Sequence, residues 1–228
     1  MNILALETST EYCSVALWQD GSCISRCELA GQKHSEMLVG MLDGLLSEAG
    51  VKLAQLDGIA FGAGPGSFTG VRIACGAAQG LALGTNLPVT GISTLLALAE
   101  AAGRDKVVAA LDARMGEIYH AAYQKQAGEW ITESEPIFCL PQFAPAVEGT
   151  GWFGAGSGFK MYETILDKHY AGHLSGVDRL ATPQASAIAG LAAVQFAAGQ
   201  GVDAALAAPV YLRDKVALKT FERKHQHG

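Results

Sequence analysis

Gly62-Ala63-Gly64-Pro65-Gly66-Ser67-Phe68-Thr69-Gly70-Val71-Arg72 follows a short apolar run, Ile59-Ala60-Phe61, and precedes a run of small residues over 73–83. That order predicts a strand, a glycine-rich turn and a helix. Glycine permits φ > 0 and lets another group approach the backbone closely. Ser67 or Thr69 can cap the new helix, and the N–H groups of its first turn favour an anion. Two readings stay open: an anion or nucleotide seat on Gly64, Gly66, Ser67 and Thr69, or a tight structural elbow. No Gly-Lys-Ser/Thr follows the glycines, so the turn is not a Walker A loop. The spacing of Gly62, Gly64, Gly66 and Gly70, with Pro65 inside the turn, fits the dinucleotide fingerprint poorly.

Upstream, Ile3-Leu4-Ala5-Leu6 reads as a strand buried on both faces, and it ends at Glu7. Residues 13–18 and 22–29 predict a hairpin about Asp20-Gly21. Met37, Leu38, Met41, Leu42, Leu45, Leu46 and Ala49 recur at three- and four-residue steps, the apolar face of one helix. Ser35 suits its cap and Gly50 its stop; His34 reads as a surface or capping histidine. The helix after the central turn carries Gly76, Gly80 and Gly84 on one side. An interior glycine costs about 1 kcal/mol relative to alanine. Either these glycines pack closely on the chain's own sheet, which the residues alone favour, or they meet another chain. A strand over 87–92 and a helix over 94–102, capped by Ser93, complete an alternation that predicts an α/β fold with mixed sheets flanked by helices.

Gly103-Arg104-Asp105-Lys106 is short, polar and glycine-led, and divides the chain into domains 1–103 and 104–228. Residues 107–111 form a second apolar run ending in an acid, Asp112, then a turn and a strand. This repeats the opening plan and hints at two related halves. Gly128-Glu129 marks a hairpin, and Pro136, Pro141 and Pro145 predict irregular chain up to 147. Trp152-Phe153-Gly154-Ala155-Gly156-Ser157-Gly158 reads as an ordinary helix entry. Thr182-Pro183 predicts the start of a helix that runs to Gly199. Between 213 and 224, five basic residues (Arg213, Lys215, Lys219, Arg223, Lys224) oppose two acids (Asp214, Glu222), a stretch read as a solvated terminus in preference to a contact with RNA or an acidic partner.

The 228 residues are 50% hydrophobic and 17% charged, the balance of a globular chain with a sizeable core. A net charge of -6 opposes stand-alone binding to nucleic acid. No secretory signal or membrane-spanning run is read, and the five cysteines suit a reducing cytoplasm. No metal site and no catalytic nucleophile is read: Cys23 and Cys27 lack a second pair, and no Gly-x-Ser-x-Gly elbow occurs. Glu7 and Asp112, each ending the first strand of a half, could hold a hydrated cation beside a nucleotide. That is the carboxylate-plus-glycine plan of actin-like and sugar-kinase-like ATPases.

Leu4-Ala5-Leu6-Glu7-Thr8-Ser9, His34-Ser35-Glu36, the central turn, Asp112-Ala113-Arg114-Met115-Gly116-Glu117 and Tyr211-Leu212-Arg213 together resemble the TsaB (YeaZ) family. The resemblance implies two domains of the actin/Hsp70-like ATPase (ASKHA) fold. It implies a cytoplasmic, non-catalytic subunit of the bacterial machinery that makes threonylcarbamoyladenosine beside the tRNA anticodon. The partners it implies are the catalytic paralogue TsaD, the ATPase TsaE and a second copy of the chain; tRNA is met only through the complex. That paralogue holds a metal through a His-x-x-x-His motif whose register falls here on Gly91 and Leu95, so the old glycoprotease label has nothing to rest on. No tightly bound cofactor is implied, with a nucleotide only at a complex interface. The partner surface is then expected on two helices, at Met37, Met41, Leu42, Leu45, Arg72, Gly76, Gly80 and Leu83. The alternative is a free-standing phosphotransferase that uses Glu7, the central turn and Asp112.

Overall fold

The computed structural model describes residues 1–213; the basic positions beyond Arg213 lie outside the described residues. Two five-stranded sheets repeat one plan. The first uses β1 (Asn2–Glu7), β2 (Tyr12–Gln19), β3 (Ser22–Leu29), β4 (Gly58–Gly64) and β5 (Val89–Ser93) in the order β3-β2-β1-β4-β5. The second uses β6 (Lys106–Asp112), β7 (Ile118–Gln126), β8 (Glu129–Cys139), β9 (Trp152–Ala155) and β10 (Leu174–Asp178) in the order β8-β7-β6-β9-β10. In both, the lead strand pairs antiparallel with a hairpin strand and parallel with the strand that feeds a glycine turn. The two halves hinted at by the sequence are therefore one topology used twice, the two-lobed mixed α/β arrangement of the ASKHA fold. Both hairpins turn on glycine-containing pairs with positive φ, Asp20-Gly21 and Ala127-Gly128, as right-twisted strands demand.

On one face of the first sheet lie α1 (His34–Ala49) and α2 (Phe68–Thr85). α1 stops at Gly50 in the left-handed conformation. It starts at His34 after Lys33, with no side-chain cap, rather than behind Ser35. His34 itself is buried and its Nε2 meets the Tyr12 carbonyl at 3.2 Å. The apolar stripe of α1 is core: Leu38, Met41, Leu42 and Leu45 pack with Leu4, Leu6, Val15 and Leu17. Burying each such side chain stabilises the fold by about 1.5–3 kcal/mol.

The other face of the first sheet is covered from far along the chain. α6 (Ala185–Ala197) lays Ile188 against Ile3, Ala5, Ala16 and Ala60. Its first N–H, of Ala185, donates to Ser14 Oγ on β2 at 3.0 Å. Anchored there, the helix is capped at Gln184 and starts at Ala185, two residues past the predicted Thr182 cap and Pro183 start. The cut at Gly103 thus separates the two sheets but not the two packing units, because α6 and the chain after it as far as Tyr211 return to the first lobe. Between the lobes sits α3 (Thr94–Ala101), with Leu95 and Leu98 packed on Val107 and Ala109 while Ala97 joins the Ile188 cluster.

The second lobe carries the short helices α4 (Ser157–Met161) and α5 (Glu163–His169). Pro136, expected in irregular chain, lies inside β8, an edge strand whose outer N–H row needs no partner.

Candidate functional site

The glycine turn is an elbow packed on its own chain. The end of β1 runs under it. A Cβ added to Gly70 would lie 2.0 Å from the Thr8 carbonyl oxygen, and one on Gly66 would lie 2.6 Å from Ser9 Cβ. Ser67 N–H donates to the Ser9 carbonyl at 2.8 Å, and Thr8 Oγ1 donates to the Gly70 carbonyl at 2.7 Å. Ser67 caps α2 by accepting from Gly70 N–H at 3.3 Å. Gly64 has φ 107°, is buried, donates its N–H to Thr94 Oγ1 at 3.1 Å, and faces the Val210 carbonyl. Of the proposed anion seat, Gly64 is therefore occupied by the chain itself. Gly66 is turned onto Ser9, and Ser67 and Thr69 sit exposed at the rim.

The two acids differ in setting. Glu7 is buried; its Oε1 accepts from Ser9 N–H, and its Oε2 has no partner beneath Gly62. Loss of hydration pushes its carboxyl up to about 7. A carboxyl closed under a glycine has no path to a hydrated cation. Asp112 accepts from Tyr162 Oη and Arg114 N–H, both at 3.0 Å, and its backbone N–H donates to Ser157 Oγ at 3.0 Å. These bonds brace a turn in which Arg114 and Met115 both take positive φ.

The two positions on which the resemblance places a metal motif, Gly91 and Leu95, carry no donor side chain. A Cβ on Gly91 would sit 3.0 Å from Ala63 Cβ, and Leu95 is fully buried against the second sheet. One histidine pair at that spacing, His169 and His173, escaped the motif reading. His169 ends α5 and His173 lies beyond it, with Nδ1 at 2.7 Å from the Gly149 carbonyl. Among the described residues no group of three or more His, Cys, Asp or Glu side chains is placed to hold a metal ion.

The two helices have a clear inner and outer side. Met41, Leu42 and Leu45, expected on a partner surface, are buried in the chain's own core, and Met37 is half-buried beside them. This corrects the expected surface: the apolar stripe of α1 faces the sheet, because that sheet needs a cover. On α2 the inner side is Val71, Ala74, Cys75, Ala78 and Ala82. The outer side is Arg72, Gly76, Gly80, Leu83 and Gly84, all exposed. A Cβ on Gly76, Gly80 or Gly84 would meet nothing within 4 Å. Packing on the chain's own sheet does not explain these glycines, contrary to what the residues alone favour. On α1 the exposed positions between its two ends are Val39, Gly40 and Asp43, which the periodicity reading passed over. They were legible as the gap in the apolar stripe.

Comparison with known proteins places this architecture. The family model described as "TsaD: tRNA N6-adenosine threonylcarbamoyltransferase" matches residues 27–221. The "tRNA threonylcarbamoyladenosine biosynthesis protein TsaB" of Escherichia coli is 39% identical over 98% of this chain and 100% of its own length. The protein of the same name from Haemophilus influenzae is 39% identical over 96% of each chain. A solved structure, "YeaZ from Pseudomonas aeruginosa", superposes with a TM-score of 0.86 at 42% identity, covering 92% of this chain and 99% of that one. With the repeated sheet, the elbow after β4 and these full-length matches, the chain belongs to the TsaB (YeaZ) family.

Proposed function

We propose that this chain is a non-catalytic accessory subunit in tRNA threonylcarbamoyladenosine biosynthesis, and that it works by docking α1 and α2 onto the catalytic paralogue TsaD. In this reading it supports transfer of the threonylcarbamoyl group from threonylcarbamoyl-AMP to the adenosine beside the anticodon. TsaE joins the pair, the free chain pairs with itself through the same face, tRNA is reached only through the complex, and the setting is the cytoplasm. No helix among the described residues is long and apolar enough to cross a membrane. The names of the full-length relatives support the pathway. The buried Glu7, the filled elbow and the donor-free Gly91 and Leu95 support a role without chemistry of its own and speak against a phosphotransferase.

One observation carries the docking reading. Three outward glycines stand at four-residue steps; the two in the helix interior, Gly76 and Gly80, each weaken α2 by about 1 kcal/mol relative to alanine, and no neighbour in the chain requires any of the three. A helix keeps such a face where another backbone must come close. The test is Gly80→Leu with Leu83→Asp as a second variant, Leu83 being 67% exposed. Gly80→Leu should raise the melting temperature while abolishing self-association, co-elution with TsaD and reconstituted tRNA modification. Unchanged association in both variants would overturn the reading. TsaD that binds while leaving the self-pair intact would overturn the shared face.

A further inference from the structure

Independently of that reading, we propose that residues 207–213 form a separable strap that ties the two lobes together across the C-terminal ends of their central strands. In open α/β sheets, ligands bind in the crevice outside those strand ends. Here the chain supplies its own occupant.

The strap is rooted on α2. The Ala207 carbonyl accepts from Gln79 Nε2 at 3.0 Å and from Cys75 Sγ at 3.7 Å. It then reaches the end of β4. Val210 N–H donates to the Ala63 carbonyl at 2.7 Å, and the Val210 carbonyl oxygen stands 2.7 Å from where a Cβ on Gly64 would be. Gly64 is thus required by the strap as well as by the turn. Next, Tyr211 Oη accepts from Arg72 Nε at 2.8 Å, and its ring lies 5.5 Å from that of Phe68. The Arg72 guanidinium stacks 3.6 Å over the Phe68 ring, closing a three-residue latch at the start of α2.

From this latch the chain crosses to the other lobe. Arg213 donates to the Ala113 carbonyl at 3.3 Å, directly after β6, and its Nη2 lies 3.1 Å from Glu117 Oε2 and 3.2 Å from Met115 Sδ. Its guanidinium also sits 4.9 Å from the Phe138 ring. Arg213 and Glu117 are both largely buried, at 20% and 25% side-chain exposure, which places their pair above an ordinary surface ion pair. By contrast Val210 and Tyr211 are about half exposed, so the segment lies over the molecule rather than inside its core.

Cys75 reports on the root. It is 4% exposed and bonded to the strap, whereas Cys13 is fully buried under α1 with no strap contact. In the full chain, thiol labelling would be followed cysteine by cysteine with mass spectrometry. A Tyr211→Ala/Arg213→Glu variant should label Cys75 at least tenfold faster than the parent and Cys13 at the parental rate. Adding Glu117→Arg, which restores an ion pair of reversed polarity, should return most of the protection. An unchanged Cys75 rate would overturn the strap. So would parallel acceleration of Cys13, which would make the segment part of the cooperative core. Failure of Glu117→Arg to rescue would overturn the tie between lobes.

Discussion

The glycine turn after β4 and the glycine turn after β9 hold equivalent places in two sheets of one topology, yet they do different work. Both cross the end of their lead strand. The first packs Gly66 and Gly70 onto Ser9 and Thr8; the second packs Gly156 and Gly158 onto Ala110. The first then launches a helix of 18 residues with an open glycine face, the second a helix of 5. The acids follow the same split, Glu7 sealed and Asp112 hydrogen-bonded at the rim. In both lobes the glycines of the turn are packed against the lead strand or the residues just beyond it. Glycine at these turns is therefore a packing requirement, and ligand binding does not follow from glycine content alone. What distinguishes the first lobe is the outward side of its helix.

Substitutions at equivalent places sharpen this comparison. The largest effect is expected from Gly70→Ala, whose new carbon meets a main-chain oxygen at 2.0 Å. Neither partner can swing aside, so urea unfolding should show a loss of about 3 kcal/mol or more. Gly158→Ala meets Ala110 Cβ at 2.8 Å and should lose less, about 1–2 kcal/mol. Equal losses would break the contrast between the turns.

The buried titratable groups give a second pair, with opposite pH slopes. Glu7 has its pKa raised from 4.5 to about 7 by desolvation, so the folded state holds a proton that the unfolded chain releases. Stability from this group is full below 4.5 and declines as pH rises to about 7. Relative to Glu7→Gln, the parent should lose about 2–3 kcal/mol between pH 5 and pH 8. His120 in the second lobe is lowered from 6.5 to about 3, by desolvation first and then by the charge of His169. Its Nε2 pairs with Tyr170 Oη at 2.7 Å, and that hydroxyl donates to the Pro145 carbonyl. Here stability is full above 6.5 and falls as pH drops. Relative to His120→Gln, the parent should lose about 2 kcal/mol between pH 7 and pH 5. Parallel slopes in the two variants would refute the assignment. The smallest effect is Ser67→Ala, which removes the α2 cap and should lower stability by about 1 kcal/mol.

Much of this was legible from residues. The alternation of apolar runs and helical stripes gave both lead strands, both hairpins, α1 and α2. The elbow also followed from glycine spacing, although its contents did not, because Thr8 and Ser9 lie some sixty positions away in sequence. Periodicity marks which side of α1 is apolar, but it cannot tell a sheet from a partner as the thing that side meets; that is why Met41, Leu42 and Leu45 were misplaced. α6 is alanine-rich nearly all round, so nothing in its pattern names the sheet it covers. Its start is set by Ser14, 171 positions upstream, a distance no local signal spans. β10 was missed because Leu174-Ser175-Gly176-Val177-Asp178 is short and only partly buried.

The return of α6 to the first sheet has a consequence for how the polypeptide is made. While the ribosome is still producing the second lobe, Ile3, Ala5, Ala16 and Ala60 wait without most of their cover, and before residue 185 the only helical residue in that cluster is Ala97 of α3. The amino-terminal half must therefore pass through synthesis with an oily flank open to the cell, and its maturation is timed by the arrival of a helix born almost last.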